Sequence, residues 1–163
     1  KFFMLLGIPK EIKNHEYRVG LTPESVAEVV RNGHEVIVET SAGVGIGAED
    51  ENYRAVGAEI VKSASEIFAR ADMVIKVKEP QAAERKMLRE GQILYTYLHL
   101  APDPDQTRDL VSLRRFVLVE QAGGLIEVLG LGFMGLTKQR QGLFLDLGNG
   151  QIHHHACIDV LSV

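Results

Sequence analysis

The sequence predicts an α/β fold, a parallel sheet flanked by helices, over residues 1–120. Short apolar runs alternate there with amphipathic helical stretches, the pattern of β-α-β units. One of the intervening helices is punctuated at both ends, and no internal repeat, heptad or low-complexity tract competes with the reading.

The first strand is Phe3–Ile8; the apolar start of the chain is broken at once by Gly7, Pro9, Lys10 and Glu11, far short of a membrane span or a signal core. Pro23–Arg31 follows as a helix, with Thr22 as N-cap, Pro23 at N1 and Gly33 just past the end. Strands are then expected at Glu35–Glu39, Ala58–Val61, Met73–Val77, Ile93–Leu98 and Phe116–Val119. Helices are expected at Glu49–Val56, Ala64–Arg70, Ala82–Arg89 and Asp105–Leu113, with crossovers that bury the strands on both faces. Residues 121–163 form a glycine-rich tail whose fold the pattern leaves unassigned.

Composition narrows the partners. The chain has 163 residues, enough for one domain with a real core, and its 45% hydrophobic and 25% charged content is that of a globular protein rather than a disordered one. A net charge of -4 supplies no positive field for nucleic acid or an anionic membrane, so a small-molecule partner is expected. Cys157 is the single cysteine, which leaves no internal disulfide and makes the cytoplasm the default location.

In open α/β sheets ligands sit beyond the carboxyl ends of the strands. Arg18 follows the first strand, Lys78 and Glu79 follow Met73–Val77, His99 follows Ile93–Leu98, and Glu120 follows Phe116–Val119. An arginine fork suits a carboxylate, a lysine suits a carbonyl or imine, and a histidine exchanges protons near neutrality. Each has a bland alternative: Arg18 as a solvated loop residue, Lys78 paired with Glu79 or Glu39, His99 as a helix cap.

The motifs Gly7-Ile-Pro-Lys-Glu-Ile-Lys-Asn14, Glu16-Tyr-Arg-Val19, Leu21-Thr-Pro23, Gly33-His-Glu-Val36, Lys76-Val-Lys-Glu-Pro80 and Tyr95-Thr-Tyr-Leu-His-Leu-Ala101 resemble, in order and spacing, the N-terminal domain of alanine dehydrogenases. Over residues 5–120 that resemblance implies a substrate-binding domain of flavodoxin-like or Rossmann-like form. It also implies reversible, NAD-dependent oxidative deamination of L-alanine to pyruvate and ammonia, by a homo-oligomer. By the same resemblance Arg18 binds the substrate carboxylate, Lys78 contacts the substrate near the reacting carbon, and His99 is the acid/base. Tyr97 lines the pocket, and Glu120, counted with the substrate-binding residues, matches a glutamate following the domain's later strand. The related transhydrogenase α-subunit shares the opening pattern, but does not carry the Lys-Val-Lys-Glu-Pro and Tyr-Leu-His-Leu-Ala motifs together. Family members also carry an inserted nucleotide-binding domain with a catalytic aspartate, neither of which is recognisable here. A catalytically inert small-acid-binding module is therefore the alternative expectation.

Leu125–Leu129 has the pattern of a strand, and Gly130-Leu-Gly132-Phe-Met-Gly135 after it matches G-x-G-x-x-G. With Asp146 facing a ribose, this would be a truncated dinucleotide unit for NAD. Gly43-Val-Gly45-Ile-Gly47 tempts the same reading but resembles a structural loop of the family. His153, His155 and Cys157 would share one face of a strand, but lack a nearby carboxylate, so no metal site is assigned. Glu49, Asp50 and Glu51 read as a helix N-terminal acidic cluster.

Overall fold

A computed structural model of the chain describes residues 3–98, 103–112, 116–122 and 125–130. Among them the elements run β1 (Leu5–Ile8), α1 (Pro23–Arg31), β2 (Glu35–Glu39), a 3-10 turn (Val44–Ile46), α2 (Asp50–Ala55), β3 (Glu59–Val61), α3 (Ala64–Arg70), β4 (Met73–Lys78), α4 (Ala82–Arg85), β5 (Ile93–Tyr97), α5 (Pro104–Ser112), β6 (Phe116–Ala122) and β7 (Leu125–Gly130). They build one sheet in the order β3-β2-β1-β4-β5-β6-β7. The strands from β3 to β6 are parallel, as expected of an α/β sheet, but β7 runs antiparallel to β6.

The central stretches of β1, β2, β4 and β5 are mostly apolar because both faces are covered. Leu6, Ile8, Val36, Val38, Met73 and Ile75 point to one face and pack with Val26 and Val29 of α1 and Tyr53 of α2. Ile37, Val74 and Leu94 point to the other, against Ile67 and Phe68 of α3 and Leu110 of α5. Full burial of Val26 and Val29 stabilises the α1 contact by about 1.5–3 kcal/mol for each side chain.

Helix α1 keeps the bounds its caps predict: the Thr22 hydroxyl accepts from Ser25 N–H, and Gly33 follows with φ of 91°. Helix α4 stops at Arg85, four residues before its expected end. The chain turns there because Leu88 is buried and the Arg89 guanidinium donates to the carbonyls of Phe68 and Ala71 at the end of α3. Those contacts outweigh the helical preference of the segment. Helix α5 starts one residue earlier than expected, at Pro104, where Asp103 accepts the N–H of Gln106.

The strand expected at Leu125–Leu129 is present as Leu125–Gly130, and the strand expected at Phe116–Val119 is longer than its pattern indicates. Strand β6 continues to Ala122, and Leu125–Gly130 returns beside it with Phe116 opposite Gly130 and Ala122 opposite Leu125. Alternation of apolar residues locates a strand without fixing its direction, and a return after two residues permits only an antiparallel pair.

Candidate functional site

The strand order reverses between β1 and β4: from β1 the chain proceeds outward through β2 and β3, and from β4 in the opposite sense through β5 and β6. Loops diverge at such a point and leave a crevice at the carboxyl ends of the two strands. The segment between β1 and α1 crosses it along a fixed path. A Cβ on Gly45 would stand 2.1 Å from the Tyr17 carbonyl oxygen, and one on Gly20 would stand 2.5 Å from that of Ile75. The segment is thus pressed between the 3-10 turn and β4, with Val19 buried and Arg18 presented outward. Gly45 accordingly gives the Gly43–Gly47 stretch a structural role.

Arg18 is held by Glu16. The Arg18 Nε donates to Glu16 Oε1 at 2.8 Å, Nη2 donates to Oε2 at 2.6 Å, and the Arg18 backbone N–H also reaches Oε1 at 2.9 Å. The Arg18 side chain remains 62% exposed while that of Glu16 is only 6% exposed. The hydrogen bonds from the Arg18 guanidinium, helped by its backbone N–H and by the charge of Lys78, hold the Glu16 carboxyl at about 2, against the opposing effect of burial.

Lys78 ends β4. Its register partner is Tyr97, and its ammonium lies 5.6 Å from the centroid of the Tyr97 ring, a cation–π contact. Three steps along β4, from Ile75 to Lys78, face two along β5, from Tyr95 to Tyr97, so β4 carries an extra residue. Such a bulge re-aims the side chains beyond it. Thr96 fixes the end of the bulge by donating its hydroxyl to the Lys78 carbonyl at 2.7 Å.

Beneath this edge lies a buried ionic triad. Lys76 donates to Glu11 Oε2 at 3.1 Å and to Glu84 Oε1 at 2.8 Å, with all three side chains at most 2% exposed. Glu11 Oε1 accepts the Val77 N–H within the bulge, and Glu84 Oε2 accepts the Gln81 N–H at the start of α4. Burial pushes the Glu11 carboxyl above its ordinary value although Lys76 and the Val77 amide pull it down. Nearer the surface Glu79 pairs with Lys13, and its Oε2 is buried without a hydrogen-bond partner. Neither Glu79 nor Glu39 is the partner seen for Lys78: the first meets Lys13 and the second accepts the backbone N–H of Lys10.

The structure therefore brings Arg18, Lys78 and Tyr97 to one edge. Glu120 lies on β6 at the same edge, one residue after Val119, the register partner of Thr96. His99 lies outside the described residues, directly after Leu98, whose carbonyl accepts from Gln106 Nε2. Gly130 is not brought to this edge: opposite Phe116, it stands at the amino end of β6. Gly132, Gly135, Asp146, His153, His155 and Cys157 lie outside the described residues. Among the described residues no group of three or more histidine, cysteine or acidic side chains is placed to hold a metal ion. Asp50 accepts from the Thr40 hydroxyl and the Ser41 N–H, and Glu49 closes a capping box with Asn52, so the acidic cluster serves the α2 terminus.

Glu11, Glu16, Lys76 and Glu84 escaped the sequence reading, because an isolated charge in a sequence reads as solvated. Two signals pointed to them: Lys76 falls inside an otherwise apolar strand, and Glu84 stands three residues after Gln81 at a helix start.

Residues 7–118 match the family model described as alanine dehydrogenase/PNT, N-terminal domain. The alanine dehydrogenase of Methanococcus maripaludis is 54% identical over 109 residues, 67% of this chain and 29% of that protein. That of Bacillus subtilis is 50% identical over 159 aligned residues, 87% of this chain and 42% of that protein. Among solved structures, an L-alanine dehydrogenase superposes with a TM-score of 0.69 at 46% identity, covering 71% of this chain and 32% of that one. A transhydrogenase from Sinorhizobium meliloti superposes with a TM-score of 0.66 at 26% identity, covering 71% of this chain and 33% of that one. The chain spans less than half the length of these relatives.

Proposed function

Because this chain belongs to the alanine dehydrogenase/PNT N-terminal domain family, we propose that it is the substrate-binding part of an enzyme for reversible oxidative deamination of L-alanine. In that reaction L-alanine, water and NAD+ give pyruvate, ammonium, NADH and a proton. The observation that supports the reading is that Lys78, at the end of β4, lies near enough to the Arg18–Glu16 pair of the β1–α1 segment for its charge to act on Glu16, at the reversal of strand order.

Arg18 offers a planar fork that matches a carboxylate, and it fixes the acid end of alanine or pyruvate. Lys78, beside the Tyr97 ring, faces the substrate carbon that becomes a carbonyl; its cation stabilises negative charge developing on a carbinol oxygen and favours the neutral form of a substrate amine. His99 exchanges protons while the imine is hydrolysed. Glu120, one residue after the Thr96 partner Val119, is the further substrate-binding residue of the proposal.

The described residues do not fit NAD. The strand that leads into the glycine fingerprint is the antiparallel half of a hairpin rather than part of a β-α-β crossover, and Gly130 stands at the edge away from Arg18. The chemistry of these residues is accordingly that of the substrate half, with NAD proposed as the oxidant of the complete enzyme. A cytoplasmic homo-oligomer completes the proposal. No helix among the described residues is long and apolar enough to cross a membrane.

Calorimetric titration of the chain with pyruvate tests the reading. Binding that disappears in Arg18→Ala supports it, since loss of a bidentate charged partner costs roughly 2–5 kcal/mol. Absence of binding to the unaltered chain, or unchanged affinity in the variant, overturns it.

A further inference from the structure

We infer that Glu16 is a specificity-determining residue: by pinning Arg18 and cancelling one positive charge, it restricts the crevice to monocarboxylates and turns away dicarboxylates. The inference rests on the proposed function above and adds a selection rule to it.

Two features place Glu16 as a permanent part of the site rather than a temporary occupant of the arginine fork. Its side chain is 6% exposed, and its Oε1 accepts the Arg18 backbone N–H at 2.9 Å as well as the guanidinium. A ligand that displaced Glu16 from the guanidinium would strip its carboxylate of two charge-assisted hydrogen bonds and leave it the Arg18 backbone N–H, which is costly. The incoming acid therefore meets an Arg18 already oriented by Glu16, on the exposed part of the same side chain.

The charge at this edge then sets what can enter. Arg18, Lys78 and Lys13 supply three positive charges, and Glu16, Glu79 and Glu120 supply three negative ones, so no surplus cation is left over. The Lys76 triad below adds no cation for a second carboxylate, because its ammonium is already shared between Glu11 and Glu84. The exposed part of Arg18 receives a single substrate carboxylate such as that of pyruvate, and a second carboxylate has no surplus cation to meet. A methyl-to-carboxylate exchange in the substrate brings a second negative charge toward Glu16 with no surplus cation to receive it, and like charges at close range repel.

The test compares pyruvate with ketomalonate, the same 2-oxo acid with its methyl replaced by carboxylate, by titration calorimetry of the 163-residue chain. The unaltered chain is expected to prefer pyruvate. Glu16→Gln keeps the shape and an acceptor for the Arg18 N–H but removes the charge. It should shift the ratio of the two dissociation constants toward ketomalonate by about tenfold or more. Glu16→Asp, which restores the charge, should return the preference to pyruvate. A purely structural role would weaken both acids alike and leave the ratio in place. Glu16→Ala supplies the same comparison where the glutamine variant does not fold. A ratio unchanged within about twofold in the uncharged variants, with pyruvate still bound by the unaltered chain, overturns the inference alone. No pyruvate binding by the unaltered chain overturns the proposed function, and the inference with it.

Discussion

Lys76 and Glu11 join across the reversal of strand order: the ammonium lies 3.1 Å from Glu11 Oε2, and both side chains are closed to water. Glu11 also accepts the Val77 N–H, so one carboxylate ties the segment that carries Arg18 to the strand that carries Lys78. Lys76→Met leaves two buried carboxylates without their cation and should destabilise the fold by roughly 3–5 kcal/mol. Urea unfolding checks this, and a loss under about 1 kcal/mol would show that the triad is dispensable. Adding Glu84→Gln to Lys76→Met should recover part of the loss.

Acid separates Glu16 from Glu11. The Glu16 carboxyl is held at about 2 in the folded chain, against 4.5 as its ordinary value. Its contribution to stability is therefore complete above 4.5 and fades as pH falls from there toward about 2. The gap in urea midpoint between the unaltered chain and Glu16→Gln should close over that interval. A gap that stays constant with pH would contradict the ion pair with Arg18.

Glu11 has the opposite sign. Burial raises its carboxyl above the ordinary 4.5, so its protonated form is favoured by folding; that contribution is full below 4.5 and is lost as pH rises through the folded value. Glu11→Gln should remove this fall in stability on the alkaline side. Measured midpoints of the two chains that run parallel from about pH 4 to about pH 7 would refute the assignment.

Gly45→Ala places a methyl carbon 2.1 Å from the Tyr17 carbonyl oxygen. The backbone must shift, at about 1–3 kcal/mol, and the shift should pass directly to Arg18 next in the chain. Pyruvate affinity is expected to drop together with the melting temperature. Affinity that survives a lowered melting temperature would show that the 3-10 turn supports the fold but not the site.

His99→Gln should spare pyruvate affinity and cost turnover in the complete enzyme by about 10²-fold or more, since it removes a proton carrier but no carboxylate partner. Full turnover at neutral pH would disprove its acid/base role.

The sheet and the placement of Arg18 and Lys78 were legible in the sequence because they depend on local pattern. Doubly buried strands read as apolar runs, and Thr22, Pro23 and Gly33 mark α1 through backbone chemistry of their own. What stayed hidden depends on partners distant in sequence. Glu11 meets Lys76 across 65 residues, and the bulge in β4 exists only in its pairing with β5. The antiparallel return of β7 was concealed differently: the Gly123-Gly124 dipeptide between two apolar runs is a hairpin signal, but the glycine fingerprint beyond Leu125–Leu129 drew the reading toward a dinucleotide unit.

The clamping of the Arg18 segment between the 3-10 turn and β4 bears on how a ligand is greeted. A loop that must organise itself around its guest loses conformational entropy at that moment, and affinity is reduced accordingly. Here Tyr17 and Gly20 are already wedged against backbone on either side of Arg18, so that loss has been met during folding. Small acids, with few atoms to contribute contact energy, benefit most from such preorganisation.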